Sequence, residues 1–224
     1  MNKLKKLQSY NSARKDLFRF LEDYSHKTIL DIGCYRGMNA EYLKSKYSEI
    51  KYVGVEYDPD AIKNISDAVD KVYQLDVDNL DVKIFNQEKY DIIILADVIE
   101  HLKSPDILLE KLITILKDDG LILVSIPNLQ YYETFLLLLF GRFPRRDRGI
   151  FDKTHLRWFT LKEARLLFEK RFYIKDFTRK YRIVEGEYLN PLNRLNIIFY
   201  PLFWLLKPFF THQYLFVLKK KNNN

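Results

Sequence analysis

Short apolar runs alternate with amphipathic stretches along most of the chain. The runs contain five to seven residues and have the length of buried strands, at 28–32, 51–55, 71–75, 90–96 and 121–126. Strands that alternate with helices form parallel sheets covered on both faces. The pattern therefore predicts an α/β architecture.

The stretches between the runs carry start and stop signals of helices. Asp58-Pro59 and Ser104-Pro105 are typical helix starts, and Asp118-Asp119-Gly120 predicts a helix end and a turn into the next strand. Thr160 predicts a helix cap, because Glu163 follows three residues later. Helices are expected at 11–24, 38–47, 59–67 and 105–117, and a further one within 153–168.

Beyond residue 127 the simple alternation stops. Residues 134–143 are very apolar and residues 142–148 very basic, and two further strands are predicted at 172–177 and 213–218. The segment 182–211 between those strands is longer than a usual hairpin loop. Substrate specificity is expected in these irregular segments rather than in the sheet.

Acidic residues lie at the ends of four predicted strands: Asp31, Glu56, Asp76 and Asp97. The carboxyl ends of parallel strands share one edge, where ligands of open α/β sheets bind. Asp31 also opens the loop 31–37, whose glycines Gly33 and Gly37 let backbone approach a ligand ahead of a helix N-terminus. Because Glu56 follows at the next strand end, the pattern predicts a bound nucleoside with its ribose at Glu56.

The chain has 224 residues, and its length and composition are those of one globular domain with an elaboration. Its net charge of +7 is uneven: residues 1–141 hold 18 Lys/Arg against 23 Asp/Glu, and residues 142–224 hold 19 against 7. Arginines that match phosphate or carboxylate cluster at 142–148. An anionic small-molecule acceptor, a membrane headgroup or simply a solvated surface would suit this charge. A nucleic-acid partner is not expected, since no RNA-binding module accompanies it.

The sequence carries no signal of secretion. The single Cys34 excludes an internal disulfide, and the Lys-rich residues 1–6 lead into no apolar stretch of signal-peptide length. Residues 195–210 are apolar but too short and too interrupted for a membrane span. We expect a cytoplasmic protein in which 195–210 either packs against protein or lies peripherally on the inner membrane face.

The segment Asp97-Val98-Ile99-Glu100-His101 carries the densest candidate chemistry. If a helix begins at Asp97, its side chain shares one face with Glu100 and His101. Carboxylates and an imidazole suit either a divalent ion or acid–base chemistry. Both alternatives stay open at this point, as does a simple pocket-lining role for Asp97.

These segments together resemble class I S-adenosylmethionine-dependent methyltransferases, from about residue 10 to the C-terminus. The loop 31–37, the turn 74–77 and the strand and motif 90–102 stand in the order of that family, although family loops often carry a third glycine where Tyr35 stands. The resemblance implies S-adenosylmethionine as cofactor. It also implies the donor-binding residues: Arg14, Asp31, Gly33, Cys34, Gly37, Glu56, Asp76, Val77, Ala96 and Asp97.

The resemblance further implies the fold. It is a Rossmann-like, doubly wound, mostly parallel seven-stranded sheet that ends in an antiparallel strand pair. Residues 1–224 would form a single methyltransferase domain, with 127–160 and 182–211 as elaborations on the substrate side.

Residues 149–160 resemble the D-x-T-H-L-R-x-F-T segment of a bacterial subfamily associated with surface glycans. This implies O-methylation of a sugar or another anionic small acceptor, with His155, or less favourably His101, as the base. Two alternatives remain. One is a metal-assisted RNA 2′-O-methyltransferase, and the other is a non-catalytic pseudo-methyltransferase that binds a membrane or a partner. By resemblance to ubiquinone-pathway and small-RNA enzymes, the metal ligands would be Asp97, Glu100, His101 and His155.

Overall fold

A seven-stranded sheet organises the computed structural model, which describes residues 12–181 and 206–221. The strand order is β3-β2-β1-β4-β5-β7-β6, and β7 runs antiparallel to both neighbours whereas β1 to β5 are parallel. The expected Rossmann-like fold with a closing antiparallel pair is confirmed. The strands are β1 (Thr28–Ile32), β2 (Lys51–Glu56), β3 (Lys71–Gln74), β4 (Tyr90–Ala96), β5 (Leu116–Pro127), β6 (Phe172–Tyr181) and β7 (Thr211–Lys220).

The central strands are apolar on both faces because both faces are covered. In β4, Ile93 and Leu95 join one core cluster while Ile92 and Ile94 join the cluster on the opposite face. Side chains alternate between faces along a strand, so a continuous apolar run is what a doubly covered parallel strand requires.

The helices are shorter than the apolar periodicity predicts. Their bounds are α1 (Lys15–Phe18), α2 (Met38–Lys44), α3 (Pro59–Ile62), α4 (Pro105–Ile115), α5 (Tyr132–Leu139) and α6 (Leu161–Glu169). Short 3₁₀ turns follow β3 and β4 at Val77–Asn79, Val82–Phe85 and Ile99–His101.

Tertiary hydrogen bonds explain two early helix ends. The prediction of a helix over 11–24 was too long. The hydroxyl of buried Tyr24 donates to the carbonyl of Phe18, so this carbonyl bonds a side chain instead of a helical backbone amide. The prediction over 59–67 was also too long: the amides of Asn64 and Ile65 bond carbonyls only three residues back, and the amide of Ser66 donates to the Arg36 carbonyl in the loop after β1. Local periodicity carries no information about such bonds.

The helix predicted over 105–117 ends earlier than expected, whereas the predicted turn at Asp118-Asp119-Gly120 falls in an irregular stretch of β5. Helix α4 ends at Ile115 and β5 begins at the next residue, with an irregularity in its pairing with β4 across residues 117–120. Lys219 and Lys220 of β7 pair with Asp119 and Asp118 in this irregular stretch. Acidic residues that resemble a turn signal therefore form cross-strand ion pairs.

The elaboration at 127–160 contains α5, a basic loop and the loop that leads into α6. The predicted cap of α6 is confirmed, since the Thr160 hydroxyl accepts the amide of Glu163 at 3.4 Å. Most of the second elaboration, 182–205, lies outside the described residues, whereas 206–210 form a helical turn before β7. Within the described ranges, no helix combines the length and hydrophobicity needed to cross a membrane.

Candidate active site

The loop between β1 and α2 needs left-handed backbone at three positions. Gly33 and Gly37 have φ of 75° and 79°, and Tyr35 has φ of 49°. At Gly37 space is limiting as well, because an added Cβ would lie 2.6 Å from Val69 Cγ2. The position where family loops often carry a third glycine thus keeps the left-handed conformation with a tyrosine, at a cost of about 1 kcal/mol.

Asp31 lies fully buried at the end of β1 beside this loop. Its Oδ2 accepts hydrogen bonds from the Tyr52 hydroxyl at 2.6 Å and from Asn39 Nδ2 at 3.0 Å. Its Oδ1 has no hydrogen-bond partner in the described part of the chain. Burial, with a smaller contribution from the charge of Glu56, raises the pKa of Asp31 to about 6 against the lowering effect of its hydrogen bonds. An unpartnered buried carboxylate oxygen is costly unless a ligand group pairs with it.

Glu56 lies at the end of β2 and faces the same loop. Its carboxylate accepts the backbone amides of Tyr35 at 2.7 Å, Tyr57 at 2.8 Å and Asp58 at 2.9 Å. These bonds fix both oxygens without a side-chain partner. The second predicted acid is therefore held rigidly next to the first.

The other predicted donor residues lie along the same edge. Asp76 is exposed and caps the turn after β3, and Val77 packs against the main core cluster. Cys34 is buried, and an alanine Cβ at Gly54 would lie 2.5 Å from its Sγ. Burial raises the pKa of the Cys34 thiol, which therefore stays protonated. Ala96 ends β4.

Arg14 ties the leading segment to the end of β4. Its Nη1 donates to Asp97 Oδ2 at 2.8 Å and to Ser125 Oγ at 2.9 Å, and its backbone amide donates to Asn39. The second oxygen of Asp97 accepts hydrogen bonds from Ser125 Oγ at 2.7 Å and from Gln213 Nε2. Asp97 is thus engaged by three side chains from distant parts of the sequence.

Glu100, His101 and His155 form a second cluster beside this network. Their ligand atoms lie within 4.8 Å of one another, and His155 Nε2 is 3.9 Å from Glu100 Oε1. The two imidazole rings meet edge to face with centroids 4.7 Å apart. His155 Nδ1 lies 3.0 Å from the Ile150 carbonyl, and His101 Nδ1 lies 3.1 Å from Thr154 Oγ1.

Burial shifts the pKa values of two members of this cluster, Glu100 and His155, in favour of their neutral forms. Burial, followed by the charge of Asp97, raises the pKa of Glu100 well above its usual range, and Glu100 Oε2 has no hydrogen-bond partner among the described residues. Burial and the neighbouring His101 lower the pKa of His155. Since a neutral His155 donates from Nδ1 to the Ile150 carbonyl, its Nε2 carries the lone pair.

The predicted common face of Asp97, Glu100 and His101 is wrong. Asp97 has left-handed backbone (φ 58°), so the helical turn covers only Ile99–His101 and the Asp97 side chain turns toward Arg14. Of the four predicted metal ligands the structure brings three together, and it engages Asp97 elsewhere.

Four polar residues of the site were not predicted from the sequence. They orient the two key carboxylates: Asn39 and Tyr52 bind Asp31, while Ser125 and Gln213 bind Asp97. Ser125 offered a signal, as a hydroxyl within the otherwise apolar 121–126 run. The other three become recognisable only when the sheet is assembled.

Known methyltransferases resemble this chain in sequence. The model of a methyltransferase domain matches residues 5–171. A 102-residue segment is 32% identical to (S)-tetrahydroprotoberberine N-methyltransferase of Eschscholzia californica and covers 44% of this chain and 29% of that protein. A 137-residue segment is 25% identical to ubiquinone biosynthesis O-methyltransferase of Hydrogenovibrio crunogenus and covers 60% of this chain and 56% of that protein. The matches thus span less than two thirds of these relatives' lengths.

Solved structures show the same fold at low sequence identity. A chain from the complex of the Haloferax volcanii Trm112 methyltransferase activator with a methyltransferase superposes with a TM-score of 0.66 at 14% identity, covering 97% of this chain and 93% of that one. A methyltransferase of Archaeoglobus fulgidus gives 0.63 at 17% identity, with coverage of 96% and 97%. Because the family model matches most of the chain and the fold agrees, this chain belongs to the S-adenosylmethionine-dependent methyltransferases.

Proposed function

We propose that the chain methylates a hydroxyl oxygen of a sugar or another small anionic acceptor, with S-adenosylmethionine as methyl donor. The observation that carries this proposal is the pair of imidazoles, His101 and His155, that meet edge to face beside the network at the end of β4. Transfer to a hydroxyl requires removal of its proton, and a neutral imidazole is suited to that task. A tertiary amine acceptor would need no such group.

The residues present fit the donor. Asp31 Oδ1 is a buried carboxylate oxygen with no partner among the described residues, as the ammonium of the methionine part would require. The left-handed backbone at Gly33 and Gly37 leaves room for that part, while Glu56 would hold the ribose and Asp76 the adenine. When bound, S-adenosylmethionine supplies an electrophilic methyl group on its sulfonium.

Exposure favours His101 over His155 as the residue that meets the acceptor. His155 is only 5% exposed, whereas His101 is partly accessible. A proton on His101 Nδ1 can be donated to Thr154, which leaves His101 Nε2 to accept the proton of the acceptor hydroxyl. His155 then acts as a positioning residue behind His101, which reverses the order expected from sequence.

The acceptor class is inferred from charge. Residues 142–224 carry 19 Lys/Arg against 7 Asp/Glu, and Arg142 and Arg146 line an open cleft of about 320 Å³ next to the loop that carries His155. Arginine binds carboxylate and phosphate groups through paired hydrogen bonds. We therefore propose sugar acids and sugar phosphates as the first acceptors to assay.

An activity assay with matched variants tests this proposal. Release of S-adenosylhomocysteine is measured on a panel of sugars, sugar acids and sugar phosphates, with wild type, His101→Gln and His155→Gln. His101→Gln should lower kcat by about 10²–10⁴-fold while donor affinity stays unchanged. His155→Gln should cost less in kcat and alter the pH profile of the remaining activity. Full activity of His101→Gln would overturn the assigned base, and failure of folded wild type to bind the donor would favour a non-catalytic binding protein.

A second candidate is metal-assisted transfer to a ribose 2′-hydroxyl of RNA. The cluster of Glu100, His101 and His155 favours it, because three ligand atoms lie within 4.8 Å and Glu100 Oε2 lacks a partner in the described ranges. The test is methylation of short RNA oligonucleotides before and after chelation. Loss of activity with EDTA and its recovery with Mg²⁺ or Mn²⁺ would select this candidate over imidazole-base catalysis.

A further inference from the structure

Helix α5 is unusual because its outward side is as apolar as the side that faces the protein. Its sequence Tyr132–Leu139 contains one charged residue, Glu133. Thr134 is buried and Leu137 packs against a small cluster around Phe151, so this side faces the protein. The opposite side of a surface helix is normally polar.

The outward side of α5 instead exposes large apolar side chains in series. Leu139 is 65% exposed and Phe140 is 76% exposed, and the series comprises Phe135, Leu136, Leu138, Leu139, Phe140 and Phe143. Other exposed large apolar side chains in the described ranges, such as Tyr57 and Leu166, stand singly. A contiguous exposed apolar patch marks a site of interaction.

Arginines border this patch directly. Arg142 and Arg146 line a cleft of about 320 Å³ whose other walls are Leu137, Phe143 and Pro144. Arg146 pairs with Glu133, whereas Arg145 donates to a backbone carbonyl, that of Lys153. Cationic groups therefore stand immediately beside apolar ones, with the charge only partly balanced by acids.

We propose that helix α5 and the loop after it, residues 135–148, form a docking surface for a bilayer that contains anionic phospholipids. The leucine and phenylalanine side chains would enter the boundary between headgroups and acyl chains while the arginines bind lipid phosphates. Nucleic acid would cover the arginines but leave the leucines exposed. A second copy of this surface would bring two arginine clusters face to face.

The docking surface adjoins the acceptor side of the active site. Phe143 contacts Trp158 and Phe151 with ring centroids 5.3 and 5.1 Å apart, and these residues flank His155. Phe209, near the end of the apolar segment 195–210, contacts Phe135 edge to face at 5.7 Å. Docking would therefore hold the cluster of Glu100, His101 and His155 close to the bilayer. Docking itself does not depend on methyl transfer.

Vesicle co-sedimentation tests the docking surface without any methyl donor. The full chain is mixed with phosphatidylcholine vesicles that contain one quarter phosphatidylglycerol, and with pure phosphatidylcholine vesicles, at low and high salt. Wild type should bind the anionic vesicles, and high salt should weaken this binding. Leu139→Ser/Phe140→Ser should weaken binding by about tenfold or more, and Arg142→Gln/Arg145→Gln by about tenfold.

Two matched controls make the result decisive. Leu166→Ser and Arg165→Gln change an equally exposed leucine and an arginine on α6, and they should leave vesicle binding unchanged. Absence of wild-type binding to anionic vesicles would overturn the proposal, as would equal binding by Leu139→Ser/Phe140→Ser. A dimer that these two substitutions dissociate, without vesicle binding, would assign the surface to a second copy instead. Binding to RNA but not to vesicles would overturn it in favour of nucleic acid.

Discussion

The proposed donor side and the proposed acceptor side of the site are built in different ways. On the donor side, Glu56 accepts three backbone amides, and the adjoining loop takes its shape from left-handed residues close in sequence. On the acceptor side, side chains from remote segments meet. His155 approaches Glu100 from a separate segment, and His101 and Thr154 are 53 residues apart.

This difference teaches which parts of the site can be changed separately. The proposed donor side offers a buried acid for a cationic ligand group, whereas the proposed acceptor side offers two adjacent imidazoles for proton transfer. Loss of an imidazole leaves the glycine loop and Asp31 intact. We therefore expect donor binding and catalysis to respond to different substitutions.

The largest expected effect on the donor side is that of Asp31→Asn. The substitution keeps the shape of the side chain but removes the negative charge that would pair with the donor's ammonium group. Donor affinity should therefore fall about 100-fold. Calorimetric titration measures this. Thermal stability at pH 7 should not fall, because a buried charge is removed. Unchanged donor affinity would show that the ammonium binds elsewhere.

The pH dependence of donor binding sharpens the same point. Folding raises the pKa of Asp31 from 3.8 to about 6. The protonated group therefore stabilises the fold fully below about pH 4, and this stabilisation is lost as the pH rises through 6. The loss amounts to about 3 kcal/mol of the free energy of unfolding. Donor affinity should change in the opposite direction, since it needs the carboxylate. It should fall up to about tenfold per pH unit below 6 in wild type, with Asp31→Asn as the pH-independent control. Constant wild-type affinity between pH 5 and 7 would contradict this.

Gly54→Ala tests whether close packing under the glycine loop matters. The added Cβ would lie 2.5 Å from Cys34 Sγ, so we expect about 2 kcal/mol lower free energy of unfolding. Chemical denaturation measures the loss. Cys34→Ala should partly relieve it in the double variant, and strictly additive effects would show that the two residues do not clash.

Glu56→Ala should have a smaller effect on the donor side. Donor affinity should fall about tenfold, or 1.4 kcal/mol, because the ribose hydroxyls lose their acceptor. Glu56→Gln is the companion variant, which keeps part of the hydrogen bonding. Affinity equal to wild type in both would remove Glu56 from the donor site.

The same contrast explains how much of the molecule could be predicted. The strands and the glycine loop follow from apolar runs and from residues close in sequence, so β1 and β4 were predicted with their observed bounds. The face shared by Asp97 and Glu100 was predicted wrongly, because a left-handed residue at Asp97 follows from tertiary contacts with Arg14 and Gln213. The sequence ranked His155 before His101 as the base, and this ranking stays untested. Our proposal prefers His101 because His155 is buried, which is seen only in the folded chain.

One calorimetric experiment tests the separation of the two sides most directly. S-adenosylmethionine is titrated at pH 7 into wild type, Asp31→Asn and the double variant His101→Gln/His155→Gln. We expect wild type and the histidine variant to bind with equal affinity and Asp31→Asn to bind about 100-fold more weakly. Absence of binding by folded wild type, or equal loss in the histidine variant, would contradict the account.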